Sequence, residues 1–337
     1  MTTMQDQAGA LLGQLAGYVG VRTVGIGLSS GLIKALAANP GGLSAKELAH
    51  DTQLDPFYTQ VWCRAAHGAG VLDDAGADRY RLADHMDTLL LDDTSPGYVG
   101  AVITIMDRPE IFDGFSDDLA TGEGTWWDEC SAAFIDNVAS TGAPFNTRLI
   151  PGGLDQVPGL GERLNGPARI LELACGAGRG LMRLAEHYPQ AEIVGLDGDA
   201  HSLEIAARSL AAAGVADRVT LIESAMEGLE AEDDFDLVTI NISMHECRDL
   251  DEVTTRVLRA LRPGGYFVNS DFPFPADEQG LRSVPGRVMS GIQFFEARIG
   301  DQLVPITHYL DLLRKHGFRE VDHFEITPVH AVTHGRR

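Results

Sequence analysis

An apolar segment that runs into a glycine-rich turn and then into a helix is the part of this chain best suited to hold a ligand. It is residues 170–180, with the sequence ILELACGAGRG. Such a junction directs backbone N–H groups and a helix N-terminus toward a ligand at the edge of a sheet. A second apolar run ends in Asp197, seventeen residues after Gly180, where a carboxylate could accept hydrogen bonds from two ribose hydroxyls. This spacing predicts a nucleoside site.

The elements that must position these groups follow in a regular order. Strand-like segments are predicted at residues 218–222, 235–241 and 262–270, and helical periodicity fills residues 202–213 and 250–261. Strands that alternate with helices at short intervals predict a doubly wound, parallel α/β sheet.

The turn, Asp197 and the Arg-Pro-Gly-Gly sequence at 262–265 resemble the class I S-adenosylmethionine-dependent methyltransferases, over roughly residues 166–337. A nicotinamide-binding domain is the runner-up, but such domains place this turn at their first strand. Ala174 departs from the family pattern by replacing its first glycine, and residues 223–227 lack the usual aspartate near the adenine. The resemblance implies S-adenosylmethionine as cofactor, bound by Glu172, Ala174, Gly176, Gly178, Asp197, Gly198, Ser224, Met226 and Asn241.

The N-terminal third has the pattern of a winged helix. Ser44 and Glu47 form a capping box, Asp55 and Pro56 begin a second helix, and residues 71–82 read as a hairpin. This part resembles the dimerisation domain of small-molecule O- and C-methyltransferases, which implies a homodimer. The predicted domains are a winged-helix-like dimerisation domain at 1–96, a helical linker or lid at 97–165, and the cofactor domain at 166–337.

Charge and composition exclude several classes of partner. The net charge of −23 disfavours nucleic acid, whose binding needs lysine and arginine to displace counterions. The four cysteines show no C-x-x-C pairing, which is typical of reduced thiols in a cytoplasmic protein. No basic segment precedes the first apolar stretch, and no uninterrupted apolar run reaches the length of a membrane span, so we expect no membrane partner. The small basic content also disfavours a catalytically inactive transcriptional regulator.

His245 follows the fourth predicted strand, next to the position expected for the sulfonium methyl group. In O-methyltransferases with this two-domain plan a histidine here removes the acceptor's hydroxyl proton, usually in a His-x-Trp context, but Cys247 stands in place of the tryptophan. One hypothesis is therefore a metal-independent O-methyltransferase for small molecules with His245 as the general base. Glu246 is a second candidate base or a partner of His245.

A more specific resemblance favours a different chemistry. Residues 244–246, 294–296 and 309–318 are similar to the α-keto acid C-methyltransferases of bacterial peptide-antibiotic pathways. That resemblance implies a metal held by His245 and Glu296, which would stabilise the enolate of a keto acid whose β-carbon is then methylated. His330, on the predicted last strand at 328–334, is the candidate third ligand, and two histidines with one carboxylate suit iron or zinc. Trp126, Trp127 and Phe294 are the candidates for the wall of the substrate pocket.

Overall fold

Two compact units, Met1–Pro109 and Glu110–Arg337, make up the chain. The structure is a computed structural model, and it describes residues 2–124, 132, 135 and 141–337. This division into two units differs from the three segments expected from the sequence, whose boundaries at 96 and 165 stay a prediction.

The first unit contains the two helices and the hairpin expected there. Its three-stranded antiparallel sheet has the order β1 (Leu43–Ser44), β3 (Arg79–Leu82), β2 (Leu72–Gly76). The Ser44 hydroxyl accepts the Glu47 N–H, and the Glu47 carboxylate accepts the Ser44 N–H at 2.8 Å, which is the predicted capping box. The helices of this unit are Met4–Ser29, Leu32–Ala37, Ala45–Thr52, Pro56–Gly68, Met86–Leu91 and Gly100–Met106.

The first helix, Met4–Ser29, revises the expectation about membranes. It has 26 residues, its most apolar window has a mean hydropathy of 1.2, and only 22% of that window is buried. By length and composition alone it could cross a membrane, and it is the one helix within the described ranges that meets this test. A buried helix of a globular core or a signal sequence can meet the same test.

A seven-stranded sheet organises the second unit, and it confirms the predicted α/β fold. The strand order is β6-β5-β4-β7-β8-β10-β9, in which β6 to β8 pair in parallel and β10 runs antiparallel to both of its neighbours. Strand β9 was absent from the sequence-based prediction. The strands are β4 (Arg169–Leu173), β5 (Glu192–Asp197), β6 (Val219–Glu223), β7 (Phe235–Asn241), β8 (Leu261–Asp271), β9 (Arg319–Thr327) and β10 (His330–Arg336).

Helices cover both faces of this sheet, because successive residues of a strand point to opposite faces. Ile170 of β4 lies in one apolar core and its neighbour Leu171 lies in the other. The helices predicted at 202–213 and 250–261 are present, and Asp199 and Asp249 cap them by accepting backbone N–H groups at 2.7 and 2.9 Å. The helices of this unit are Pro109–Asp118, which begins at the boundary, Ala143–Arg148, Leu160–Leu164, Arg179–His187, Ala200–Ala212, Leu250–Ala260, Glu278–Arg282, Val284–Arg298 and Ile306–Lys315.

Candidate active site

The turn after β4 has the backbone geometry that the cofactor prediction requires. Ala174, Gly176 and Gly178 all have positive φ angles, of 49°, 49° and 79°. Gly178 has no room for a side chain, because a Cβ there would lie 2.9 Å from the Cβ of Ala206. A Cβ at Gly176 would meet nothing within 4 Å, so the space beside that backbone is open to a ligand. Ala174 adopts a left-handed conformation that glycine adopts at lower cost, which explains why the family prefers glycine there.

Glu172 and Asp197 place two buried carboxyl groups beside this turn. Asp197 accepts the N–H of Gly176 at 2.7 Å and that of Asp199 at 2.9 Å, so its orientation is set before any ligand binds. Glu172 is 3% exposed, and its Oε2 has no hydrogen-bond partner among the described residues. Burial, with the nearby charge of Asp197, raises the pKa of Glu172 to about 8. Burial likewise raises the pKa of Asp197. An unpartnered buried carboxylate fits a cationic ligand such as S-adenosylmethionine.

The other predicted cofactor residues lie at the carboxyl ends of neighbouring strands. Gly198 follows β5, and Ser224 follows β6 and donates its N–H to the Asp197 carbonyl at 2.9 Å. Met226 begins a single 3₁₀ turn, and its sulfur lies 3.9 Å from that of Cys247. These positions meet at one edge of the sheet, where open α/β sheets bind ligands. Their contacts with the cofactor stay predictions.

His330 is not part of the histidine and carboxylate cluster predicted for a metal. It is fully buried, and its Nε2 bonds to the hydroxyl of Ser270 on the adjacent strand β8. The Ser270 hydroxyl donates to Oδ1 of Asn241 at 2.8 Å, and Nδ2 of Asn241 donates to Oδ1 of Asn146 at 3.0 Å. Burial, with the charge of Arg148, lowers the pKa of His330 to about 3, so the ring is neutral. The prediction of His330 as third ligand is corrected: it orients Asn241 through Ser270.

His245 is held by a carboxylate that the sequence analysis did not identify. It lies in a 3₁₀ turn, Met244–Glu246, just after β7, and its Nδ1 contacts both oxygens of Asp271 at 2.8 and 3.0 Å. The Tyr309 hydroxyl donates to Oδ2 of Asp271 at 2.7 Å. Asp271 is the last residue of β8, and the predicted strand ended one residue before it. The carboxyl ends of the parallel strands β7 and β8 meet at one edge of the sheet. The position of Asp271 at the end of β8 was therefore a sequence signal that could have identified it as a partner of His245.

The other ring nitrogen of His245 faces an unpaired carboxylate. Nε2 lies 3.5 Å from Oε2 of Glu296, and neither atom has a hydrogen-bond partner among the described residues. The side chains of both residues are at most 5% exposed. Burial alone would lower the pKa of His245, but Asp271 and Glu296 outweigh it and raise that pKa well above its ordinary value. The imidazolium is therefore strongly stabilised here.

The atoms of His245, Glu246 and Glu296 that could bind a metal all lie within 4.8 Å of one another. The structure thus brings together the two predicted ligands, His245 and Glu296, and puts Glu246 where His330 was expected. One imidazole and two carboxylates, with unpartnered atoms on His245 and Glu296, are a donor set that fits a divalent cation. The burial of Glu246 raises its pKa well above the ordinary range.

Of the predicted pocket residues, only Phe294 can be placed. Its ring lies 5.6 Å from that of Phe112 and 4.6 Å from that of Phe115, so it packs in an aromatic group. Trp126 and Trp127 lie outside the described residues.

Comparison with known proteins agrees with this geometry. Residues 170–265 match the family model described as a methyltransferase domain. A demethylmenaquinone methyltransferase from Thermus thermophilus is 37% identical over 110 residues, which are 32% of this chain and 49% of that protein. The chain thus spans about half the length of this relative. The methyltransferase GfsG from Streptomyces halstedii is 29% identical over 233 residues, covering 66% of this chain and 79% of that protein.

The fold as a whole also has solved counterparts. The structure of the mitomycin 7-O-methyltransferase MmcR superposes with a TM-score of 0.70, covering 99% of this chain and 100% of that one at 18% identity. Identity this low shows only a shared fold. The chain therefore contains a methyltransferase domain at residues 170–265, and the strand order and the glycine-rich turn beside Asp197 agree with that match.

Proposed function

We propose that the protein transfers a methyl group to a hydroxyl group of a small molecule, with His245 as the general base. The orientation of the imidazole carries this proposal. Asp271 accepts from Nδ1, which assigns the proton of the neutral ring to Nδ1 and leaves the lone pair on Nε2. Nε2 has no hydrogen-bond partner among the described residues, so it can accept a hydroxyl proton once the stabilised imidazolium has lost its own.

The proposed methyl transfer gives a destination to the methyl group, the electrons of the broken bond and the hydroxyl proton. When bound, S-adenosylmethionine supplies a methyl group that is already electrophilic because it is attached to a sulfonium. The acceptor oxygen forms the new O–C bond, the C–S bond electrons leave with the sulfur, and the hydroxyl proton goes to Nε2 of His245. The imidazolium that results is stabilised by Asp271 and Glu296, the carboxylates that raise the pKa of His245. The products are a methyl ether and S-adenosylhomocysteine.

The comparisons support the same chemistry at the level of fold. The mitomycin 7-O-methyltransferase, whose fold this chain shares over its whole length, is named as an O-methyltransferase. The charge of −23 also suits a small acceptor better than a nucleic acid.

Metal-dependent C-methylation of an α-keto acid is the second candidate, and one observation favours it. His245, Glu246 and Glu296 form the group that would hold a cation. A metal there would act as a Lewis acid toward the keto and carboxylate oxygens, which acidifies the β-carbon. Glu246 would then be a ligand, so it could not also serve as the base for the β-proton.

One experiment separates the two candidates. Purified protein is incubated with S-adenosylmethionine and either 4-methylcatechol or phenylpyruvate, with and without a chelator, and the products are identified by mass spectrometry. We expect an O-methylated catechol whose rate is unchanged by chelation, and loss of that activity in His245→Gln but not in the matched control His50→Gln, which changes an exposed histidine. Methylation of phenylpyruvate alone, abolished by chelation and matched by stoichiometric metal, would replace the first candidate with the second.

We also propose a homodimer formed through the helix Met4–Ser29. Besides Met4 (88%), five large apolar side chains of this helix are more than half exposed, and a second copy could bury them. They are Leu11 (65%), Leu12 (65%), Leu15 (57%), Tyr18 (63%) and Val19 (52%).

Sedimentation of the full chain tests the dimer. The double variant Leu12→Glu/Leu15→Glu should be monomeric, while the control Val284→Glu, which changes an apolar residue that is 74% exposed in the other unit, should remain dimeric. A monomeric wild type would contradict the proposal, and cosedimentation of that monomer with lipid vesicles would assign the helix to a membrane surface.

A further inference from the structure

Four carboxyl groups surround His245, more than one imidazole can neutralise. They belong to Glu246, Asp271, Glu296 and Asp301. Asp271, Glu296 and Asp301 are 3%, 4% and 7% exposed. Burial and the charge of Glu296 raise the pKa of Asp301 to about 7, while Arg248 acts in the opposite direction. Acidic groups this crowded and this buried demand partners that donate hydrogen bonds or carry positive charge.

Asp271 already has such partners. It accepts from Nδ1 of His245, from the Tyr309 hydroxyl at 2.7 Å and from the backbone N–H of Phe272 at 2.8 Å. Its role in orienting His245 is therefore complete within the protein, and it needs nothing from a ligand.

On the opposite side of His245, the Glu296 carboxylate lies at ion-pair distance, 3.5 Å from Nε2, but does not form a hydrogen bond with the ring. Nε2 of His245, Oε2 of Glu296 and Oδ2 of Asp301 are all buried without a hydrogen-bond partner among the described residues. Each such atom costs about 1–3 kcal/mol while it is unpaired. The segment that carries Glu296 and Asp301 is held in place, because Gln293 donates to the Asp301 carbonyl at 3.1 Å and accepts the Leu303 N–H at 2.8 Å. The backbone positions of Glu296 and Asp301 are therefore fixed by hydrogen bonds within the chain.

The spacing of two of these atoms specifies what the ligand must offer. Nε2 of His245 and Oε2 of Glu296 are 3.5 Å apart, which is of the order of the separation between substituents on adjacent ring carbons. The Phe272 ring lies 5.9 Å from the imidazole and provides an aromatic surface beside them. An aromatic acceptor with neighbouring donors could thus satisfy both atoms at once.

We infer that the acceptor carries a second hydrogen-bond donor, a hydroxyl or an amino group, beside the hydroxyl that is methylated, as in a catechol or an aminophenol. The inference rests on the proposed O-methyl transfer. One donor gives its proton to Nε2, and the other bonds to Oε2 of Glu296. A carboxylate on the acceptor close to these groups would add a fifth negative charge, so anionic acceptors are disfavoured.

Binding measurements on the full chain, saturated with S-adenosylhomocysteine and treated with a chelator, test the inference. The probes are 4-methylcatechol, 4-methylphenol and 3,4-dihydroxybenzoate. We expect 4-methylcatechol to bind about tenfold more tightly than 4-methylphenol, the effect of one added hydrogen bond to a charged group. We expect 3,4-dihydroxybenzoate to bind more weakly than 4-methylcatechol.

Two variants test whether Glu296 causes the preference for 4-methylcatechol. Glu296→Gln should reduce the preference for the catechol and improve binding of 3,4-dihydroxybenzoate. The control Glu278→Gln, which changes an exposed glutamate paired with Arg282, should leave both unchanged.

Equal binding of 4-methylcatechol and 4-methylphenol, or no saturable binding of either, would overturn the inference. A preference present only before chelation would also overturn it, since a bound metal would then explain the catechol's advantage. A retained binding preference without any methyl ether product would instead refute the proposed O-methyl transfer, and only the recognition of two adjacent donors by His245 and Glu296 would remain.

Discussion

Replacing Glu172 with glutamine should remove a pH dependence of stability that the wild-type protein has. The Glu172 carboxyl group is 3% exposed, and its Oε2 has no hydrogen-bond partner among the described residues. It also lies against the backbone of Gly180, where an added Cβ would come within 1.8 Å of Oε1.

The size of the effect follows from the pKa of Glu172, which burial and the charge of Asp197 raise from 4.5 to about 8. Because the folded pKa exceeds the unfolded one, the stabilising contribution is fully present below pH 4.5 and is lost as the pH rises through 8. The difference between the two pKa values corresponds to a loss of at most about 5 kcal/mol. Glutamine has nearly the same shape and does not titrate.

Urea unfolding of the cofactor-free protein between pH 5 and pH 9 measures this effect. The stability of Glu172→Gln relative to wild type should increase by up to about 4 kcal/mol over this range, because part of the loss has already occurred at pH 5. Glu192→Gln is the matched control, because Glu192 lies on the adjacent strand with its side chain 82% exposed, and its difference from wild type should stay constant. Saturating S-adenosylmethionine should reduce the wild type's pH dependence, since a cation favours ionised Glu172. A pH-independent difference between Glu172→Gln and wild type would refute the reasoning.

Three further substitutions test other parts of the site. Asp197→Ala should weaken S-adenosylmethionine binding, measured by calorimetry, by about 1.5–3 kcal/mol, the contribution of hydrogen bonds to a charged group. Asp271→Asn removes a charge that raises the pKa of His245, so the rise of kcat/KM with pH should move to lower pH by about 1–3 units; an unchanged profile would exclude His245 as the titrating base. Ser270→Ala should free Asn241 from His330 and raise the Kd for S-adenosylmethionine several-fold, whereas an unchanged Kd would leave Asn241 outside the cofactor site.

Much of the second unit could be predicted because its signals are local. The turn between β4 and the following helix needs positive φ at Gly176 and Gly178, and glycine is the residue that adopts it most readily. The N-caps at Asp199 and Asp249 are likewise local, because each carboxylate accepts the backbone N–H of the residue three positions later. Strand β9 was missed, because all its residues are exposed or partly buried and only Val321, Phe324 and Ile326 are apolar.

The candidate site was only partly predictable, because its contacts join residues far apart in the chain. Tyr309 is 64 positions from His245, and the two meet only through Asp271. His330 shows the opposite case. The sequence placed it correctly on the last strand, but the antiparallel pairing of β10 with β8 set it against Ser270.

The sequence by itself determined the class of fold, the position of the cofactor turn and the identity of His245, since each depends on residue types at short spacing. Only the tertiary structure decided which groups surround His245. Pairing of β7 with β8 brings Asp271 to one side of the imidazole, and the helix Val284–Arg298 brings Glu296 to the other. Burial then decides their chemistry, because an unpaired carboxylate is costly in the interior and inexpensive in water. Exposure is a property of the assembled fold, so neither spacing nor composition could reveal it.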